Sequence, residues 1–210
     1  MLERTGQLPL SFAQQRLWFL AQMGGEGEAY YLTFGVRLKG DLDRGALRRA
    51  LDRILARHEA LRTTFGLVDD QPVQRIADGE DLHFRLAEHD LRELDLGEQL
   101  EAEAELARLV AEEAGEPFDL EAGPLIRGRL IRLAGAEHAL LITMHHIVSD
   151  GWSMGVLVTE LSTLYGAFVR GEPDPLAELE IQYADYAVWQ RKWIEGELLR
   201  KQGDYWKSTL

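Results

Sequence analysis

Helical and strand-like hydrophobic patterns alternate along this 210-residue chain, and that alternation predicts an α/β fold. Two segments carry the prediction. Residues 41–58 place Leu47, Leu51, Ile54 and Leu55 on one face at helical spacing. Residues 140–146 form a short apolar run bounded by turn residues, as a strand does. The length is enough for one large domain or two small ones with a sizeable core.

The remaining elements follow in order. Residues 9–22 are expected as a first helix, with Leu10, Leu17, Phe19 and Leu20 as its apolar residues, and the glycine-rich stretch 24–28 breaks it. Residues 31–38 alternate as a strand ending at Gly40. The helix over 41–58 sets Arg49, Arg53 and Arg57 opposite its leucines, as a solvated face or as a stripe for an acidic partner. Residues 61–68 and 72–76 read as a hairpin turning through 69–71, and a third strand is expected over 82–86. An acidic helix over 98–114 turns Leu106, Leu109 and Val110 inward. An ordered loop spans 117–124, and strands over 125–133 and 140–146 flank a turn at 135–137. Residues 152–169 repeat Val156, Leu157, Leu161, Leu164 and Phe168 at helical spacing, before a rigid linker at 171–175. Residues 182–210 are helix-prone and rich in aromatics, among them Tyr183, Tyr186, Trp189, Trp193, Tyr205 and Trp206. That stripe either packs back on the fold or meets something else. Trp152 and Trp189 are assigned to the core.

Composition narrows the classes of function. The chain is 46% hydrophobic and 28% charged, the balance of an ordinary soluble globular protein. With 23 basic against 36 acidic residues the net charge is −13, which argues against nucleic acid and against an anionic membrane surface. No apolar run has the length to span a bilayer, and the first residues lack the order of a secretion signal. Zero cysteines exclude disulfides, a thiolate nucleophile and an enzyme-bound thioester, and fit a reducing cytoplasm.

The run His145-His146-Ile147-Val148-Ser149-Asp150-Gly151 is the segment richest in chemistry. Imidazole moves a proton near neutral pH. By strand parity His146 lies with Met144, Ile142 and Leu140, and His145 with Thr143 and Leu141, so the two cannot share a task. The Asp-Gly pair reads as a tight turn with Gly151 in backbone angles that other residues avoid. Three readings stand: a general base, His146, supported by the turn and Asp150; a metal site from His145, His146 and Asp150; or a half-buried pair beside a turn. The metal reading is the weaker, because adjacent strand residues diverge and His58, His83, His89 and His138 are scattered.

Four segments together resemble the condensation domain of non-ribosomal peptide synthetases. They are Ser11-Phe12-Ala13-Gln14-Gln15-Arg16-Leu17-Trp18-Phe19-Leu20, Arg57-His58-Glu59-Ala60-Leu61-Arg62-Thr63-Thr64-Phe65, Met144-His145-His146-Ile147-Val148-Ser149-Asp150-Gly151-Trp152-Ser153, and Tyr183-Ala184-Asp185-Tyr186-Ala187-Val188-Trp189. They occur in the family's order and span nearly the whole chain. The family's later motifs have no counterpart, so the likeness is to an N-terminal, chloramphenicol-acetyltransferase-like lobe. Its sheet is mixed, mainly antiparallel and flanked by helices. Residues 1–176 correspond to the lobe, and 177–210 to a helical connection towards a C-terminal lobe.

The resemblance implies amide formation between two carrier-protein-bound acyl groups. An acceptor α-amine attacks the donor thioester, and phosphopantetheine arms of the carriers deliver both. It implies no cofactor or metal on the lobe itself. His146 is then the group that meets the attacking amine, and the Gly151 backbone N–H assists the oxyanion. His145 holds the strand from the opposite face. Asp150 is expected to pair with Arg62 as a structural ion pair, with Gln14 and Arg16 as packing and hydrogen-bond partners. Residues 150–153 and 183–189 are closest to the subtype that takes an L-configured donor. The expected partners are donor and acceptor carrier domains and the C-terminal lobe, with self-association through exposed apolar surface. The alternatives are a docking module without chemistry, or a small acyltransferase completed by self-association.

Overall fold

The computed structural model describes residues 7–24, 28–79, 82–93, 99–194 and 196–209. Among these described residues, seven strands and six α-helices follow in the order β1 (Leu8–Pro9), α1 (Phe12–Gln22), β2 (Tyr31–Lys39), α2 (Arg44–Arg57), β3 (Thr63–Val68), β4 (Gln71–Ile76), β5 (Leu86–Asp90), α3 (Gln99–Gly115), β6 (Ile126–Ala134), β7 (Glu137–His145), α4 (Gly151–Val169), α5 (Tyr183–Trp193) and α6 (Glu197–Thr209). They build a four-stranded sheet, β2-β7-β6-β5, and a three-stranded one, β1-β4-β3. All pairings are antiparallel except β5 with β6, which matches the mixed, mainly antiparallel expectation.

The four-stranded sheet is covered on both faces, which is why β7 reads as an apolar run and not as an alternation. On one face Leu130, Leu140, Ile142 and Met144 pack with Leu47, Leu51 and Ile54 of α2 and Leu157 and Leu164 of α4. On the other, Leu91, Ile131, Ala139 and Leu141 meet Leu109 of α3. Val110, expected inward, is exposed, because Leu109 takes the position facing the sheet.

Local chemistry sets the boundaries. Ser11 caps α1: its hydroxyl accepts from the Gln14 N–H, and the Gln14 side chain accepts from the Ser11 N–H. The helix therefore starts at Phe12 and not at residue 9, while Leu8 and Pro9 pair with β4. Trp18 faces the core, and Phe19 is 56% exposed. The β3–β4 hairpin turns through Asp69 and Asp70, both at positive φ (51° and 58°), a pair of angles that fits the twist of a two-residue hairpin loop. The strand expected over 82–86 begins only at Leu86. Ahead of it the Phe84 N–H donates to the Asp52 carboxylate (2.7 Å) and its ring enters the core, so α2 holds that stretch.

The arginine row of α2 is engaged within the fold. Arg49 donates to the Phe168 carbonyl (3.2 Å), Arg53 pairs with Asp174, and Arg57 pairs with Glu160 (3.1 Å), tying α2 to α4 and the segment beyond it. The final aromatic stretch forms two helices. Gly196, at φ 66°, stands immediately before the second. Helix α5 packs back through Ala184 and Ala187. Its aromatic residues form a ladder with neighbouring centroids 5.3–5.9 Å apart, in which Tyr186, Trp189 and Trp193 point away while Tyr183, 38% exposed, turns its hydroxyl inward to Ser11. Trp152 and Trp189, assigned to the core from sequence, are 84% and 53% exposed: Trp152 stands in the first turn of α4, whose buried positions are Leu157, Leu164 and Ala167, and at Trp189 the small alanine face of α5 makes the packing contact instead. Among the described residues no helix is long and apolar enough to cross a membrane.

Candidate active site

Strand β7 ends at His145, and the pleat gives the two histidines opposite fates. His145 is 5% exposed and lies opposite Tyr31 in the strand register. Its ring packs against Tyr31 (5.7 Å) and Phe118 (6.2 Å). Its Nδ1 accepts the Ile147 N–H (3.0 Å), so that nitrogen carries a lone pair and not a proton. Burial, with a smaller contribution from His146, lowers its pKa to about 4 and holds it neutral.

His146 lies one residue past the strand and is exposed. Its backbone N–H donates to the Tyr30 carbonyl (2.8 Å), and the chain then folds back as the Val148 N–H reaches the His145 carbonyl (3.1 Å). That turn brings the Ser149 carbonyl 2.8 Å from His146 Nδ1. A carbonyl only accepts, so Nδ1 carries the proton and, in the neutral ring, Nε2 keeps its lone pair. The histidine borders a cleft of about 370 Å³ between α1, the turn and α5, lined by Ala13, Leu17, Tyr30, Ser153 and Tyr183 among others. Arg16 also lines it, while Gln14 is buried in its capping role. The Tyr183 hydroxyl fastens α5 to the cleft through Ser11 Oγ (3.0 Å).

Asp150 departs from its expected role. It is exposed and caps α4, accepting from the Ser153 N–H (2.9 Å) and the Ser153 hydroxyl (2.7 Å). Those bonds hold its carboxyl below the ordinary range. The expected ion pair with Arg62 is not formed. Arg62 lies immediately before β3, at the end of a 3-10 turn, donates to the Ala77 carbonyl and stands 4.0 Å from Glu59. The capping geometry turns the Asp150 carboxylate to its own helix, and the hairpin engages Arg62 elsewhere. Gly151 also differs: it opens α4 in ordinary helical backbone, so its placement needs no left-handed angles. The turn therefore unites His145, His146, Asp150 and Gly151 and leaves Arg62 out.

The metal reading fails on the same geometry. His145 is buried with Nδ1 occupied, Asp150 is committed to Ser153, and among the described residues no three metal-ligating side chains converge. Tyr30 escapes a reading of the sequence, and so does the contact of Tyr183 with Ser11, although Tyr183 stands in the fourth family-like segment, because these contacts join residues far apart in the chain. Ser153 has a local signal, the Asp-x-x-Ser spacing of a helix cap.

The condensation-domain family model matches residues 4–210. The chain belongs to the condensation-domain family. It is 52% identical over 209 residues to malpibaldin synthetase of Mortierella alpina, covering all of this chain and 4% of the synthetase. It is 50% identical over 207 residues to a linear gramicidin synthase of Brevibacillus parabrevis, covering 99% of this chain and 3% of that synthase polypeptide. The X-domain from teicoplanin biosynthesis superposes with a TM-score of 0.86 at 32% identity, covering 99% of this chain and 44% of the X-domain chain. The chain thus spans a small part of the synthetases it matches and under half of the solved domain.

Within this condensation-domain chain, a buried ion network stands behind the histidines. Glu113 of α3 accepts from Arg127 Nε (3.0 Å) and Arg129 Nε (3.3 Å) of β6. The Arg127 guanidinium lies 4.0 Å from the centre of the Phe118 ring, which in turn packs on His145.

Proposed function

We propose that this chain is the N-terminal lobe of a peptide-bond-forming condensation domain, with His146 as the group that meets the attacking amine. Residues 1–176 make the lobe and 177–210 lead towards a second lobe. The reaction joins two acyl groups carried as thioesters on the phosphopantetheine arms of carrier proteins, and the lobe itself binds no cofactor. The acceptor amine attacks the donor carbonyl to form the C–N bond. The C–S bond breaks, and the proton lost by the amine passes through His146 to the departing thiolate. The observation that carries this reading is the Ser149 carbonyl on Nδ1, which leaves Nε2 bare at the edge of an open cleft. The Gly151 N–H, at the first turn of α4, is a candidate oxyanion donor of the kind helix N-termini supply. His145, neutral and packed, supports the wall. An L-configured donor is inferred from the likeness of residues 150–153 and 183–189 to that subtype.

The exposed ladder of α5 supports a partner there, and the family's second lobe is our assignment for it, with self-association in its place when that lobe is missing. The test is mass-spectrometric detection of peptidyl-carrier product from two loaded carrier proteins, with and without a separately made second lobe. Product that disappears in His146→Ala supports the reading. Product that persists in His146→Ala refutes the histidine assignment. A chain that binds carriers yet yields no product even with the second lobe is a docking module.

A further inference from the structure

A groove of about 460 Å³ lies between β1, the start of β4 and α5, and it shares no lining residue with the His146 cleft. Its polar lining is Gln7, Gln15, Gln71, Arg191 and Lys192, set among apolar walls such as Pro9, Pro72 and Val188. Among the described residues no carboxylate lines it, in a chain whose net charge is −13.

Arg191 is drawn into the fold without a counter-ion. Its Nε donates to the Leu10 carbonyl (2.7 Å), its Nη2 donates to the Gln15 side-chain oxygen, and the guanidinium lies 4.1 Å from the centre of the Phe12 ring. Burial lowers its pKa from the ordinary arginine value, and no neighbouring carboxylate raises it. Arg57, Arg127 and Arg129, likewise drawn into the fold, each meet a carboxylate. A partly buried cation held only by neutral acceptors still attracts an anion. Its three contacts also fix the guanidinium, and Nη1 has no acceptor among the described residues. Gln15 turns its oxygen to Arg191, so its amide N–H groups are left to donate. Lys192 is exposed and has no acidic partner among the described residues.

We infer that this groove is a docking site for an acidic peptide segment, whose carboxylate meets Arg191 and Lys192 while the glutamine amides pair with its peptide groups. The glutamines decide between a peptide and a free phosphate. A side-chain amide offers a donor and an acceptor together, as a peptide group needs, whereas a phosphate is almost wholly an acceptor and gives the amide oxygens nothing. The volume is within the range of ligand sites. The inference stands apart from the condensation reading, because no residue of the His146 cleft takes part.

The test is fluorescence anisotropy of the full 210-residue chain with two labelled peptides, Gly-Glu-Val-Glu-Gly and its counterpart Gly-Gln-Val-Gln-Gly. The Arg191 Nε–H and Gln15 side-chain resonances, followed by NMR, locate the binding. The glutamate peptide is expected to bind at least about tenfold tighter than the glutamine peptide, and the difference should shrink in about 0.5 M salt. Gln15→Glu supplies Arg191 with the counter-ion it lacks, so it should weaken the glutamate peptide about tenfold while the chain melts no lower than before. Lys192→Glu, at an exposed helix position, should weaken it by a similar factor, and keeps the test open if Gln15→Glu disturbs the fold. Equal binding of the two peptides, no binding of either, or an affinity untouched by both variants overturns the inference. So do shifts that leave Arg191 and Gln15 unmoved. Inorganic phosphate that displaces the glutamate peptide at equal concentration makes the groove a free-anion site and overturns the peptide assignment.

Discussion

Glu113→Gln should cost this fold about 3–5 kcal/mol, although the substitution keeps the shape of the side chain. Glu113 and Arg127 have side chains only 2% and 4% exposed, and each glutamate oxygen serves a different arginine. The amide leaves one acceptor and turns an N–H₂ towards a guanidinium that also only donates. Arg129 retains Glu112 at 3.5 Å, near solvent, so the stranded charge is mainly that of Arg127. Its remaining contacts are the Glu113 and Glu116 carbonyls, the Phe118 ring and, at 3.8 Å, the Glu116 carboxylate, whose side chain is 36% exposed and so offsets only part of the buried charge. An exposed pair, Arg37–Glu137 at 3.3 Å, sets the scale for comparison, and Glu137→Ala should change stability by less than about 1 kcal/mol. Urea unfolding reads both. For a slope of roughly 2–3 kcal/mol/M, the Glu113 variant should lower the midpoint by about 1–2.5 M. Because Phe118 relays Arg127 to His145, the His145 ring resonances should also move. A Glu113→Gln loss no greater than that of Glu137→Ala would refute the argument that burial makes this network costly to break.

Three further outcomes follow from the same geometry. His145 has a folded pKa near 4 against 6.5 unfolded, so the unfolded chain binds the extra proton; its contribution is complete above about pH 6.5 and fades as pH falls towards 4, with a ceiling of about 3 kcal/mol, read by urea midpoints at pH 7.5 and 4.5. A His145 ring that titrates near 6.5 by NMR contradicts its burial. Asp150→Asn should remain soluble and shift stability by under about 0.5 kcal/mol, since Asn caps nearly as well, whereas Asp150→Ala should cost about 1 kcal/mol; a loss of several kcal/mol in thermal or urea melts would restore the ion-pair role. Gly128→Ala should cost about 1–3 kcal/mol in the same melts, because its Cβ would lie 2.8 Å from the Leu141 carbonyl oxygen and 3.0 Å from the Phe84 ring.

Elements whose own residues decide their fate are legible in the sequence. Helix α2 carries its core stripe in four leucine and isoleucine positions, and β7 is apolar on both faces because helices cover both. Features decided by distant partners are not. Nothing near residue 84 announces that Asp52 takes its N–H, so the hydrophobic pattern starts the strand four residues early. Nothing near Trp189 announces that Ala184 and Ala187 do the packing and leave the indole outside. In the site, residue types are readable and partners are not. The Asp150 carboxylate has a capping serine three residues on and an arginine 88 positions back, and the local bond wins, as it does when closure costs no long-range order.

The division of labour between the histidines depends on where β7 stops. Parity within a continuing strand would have put His146 on the face of Met144 and Ile142, inside the core that α2 and α4 close. The strand ends one residue earlier, and the next backbone N–H is taken by Tyr30, so His146 swings clear of that core. What then fixes the ring is a main-chain carbonyl, at Ser149, and not a carboxylate. A carbonyl sets the tautomer without the charge of an aspartate, so it orients the ring without strongly stabilising an imidazolium. Changing the Ser149 side chain leaves that carbonyl in place, whereas a proline at Val148 removes the N–H that closes the turn through the His145 carbonyl. Val148→Pro should therefore lose the His146 Nδ1–H resonance in NMR spectra while Ser149→Ala keeps it; loss in both variants would move the anchor from the backbone to the side chain.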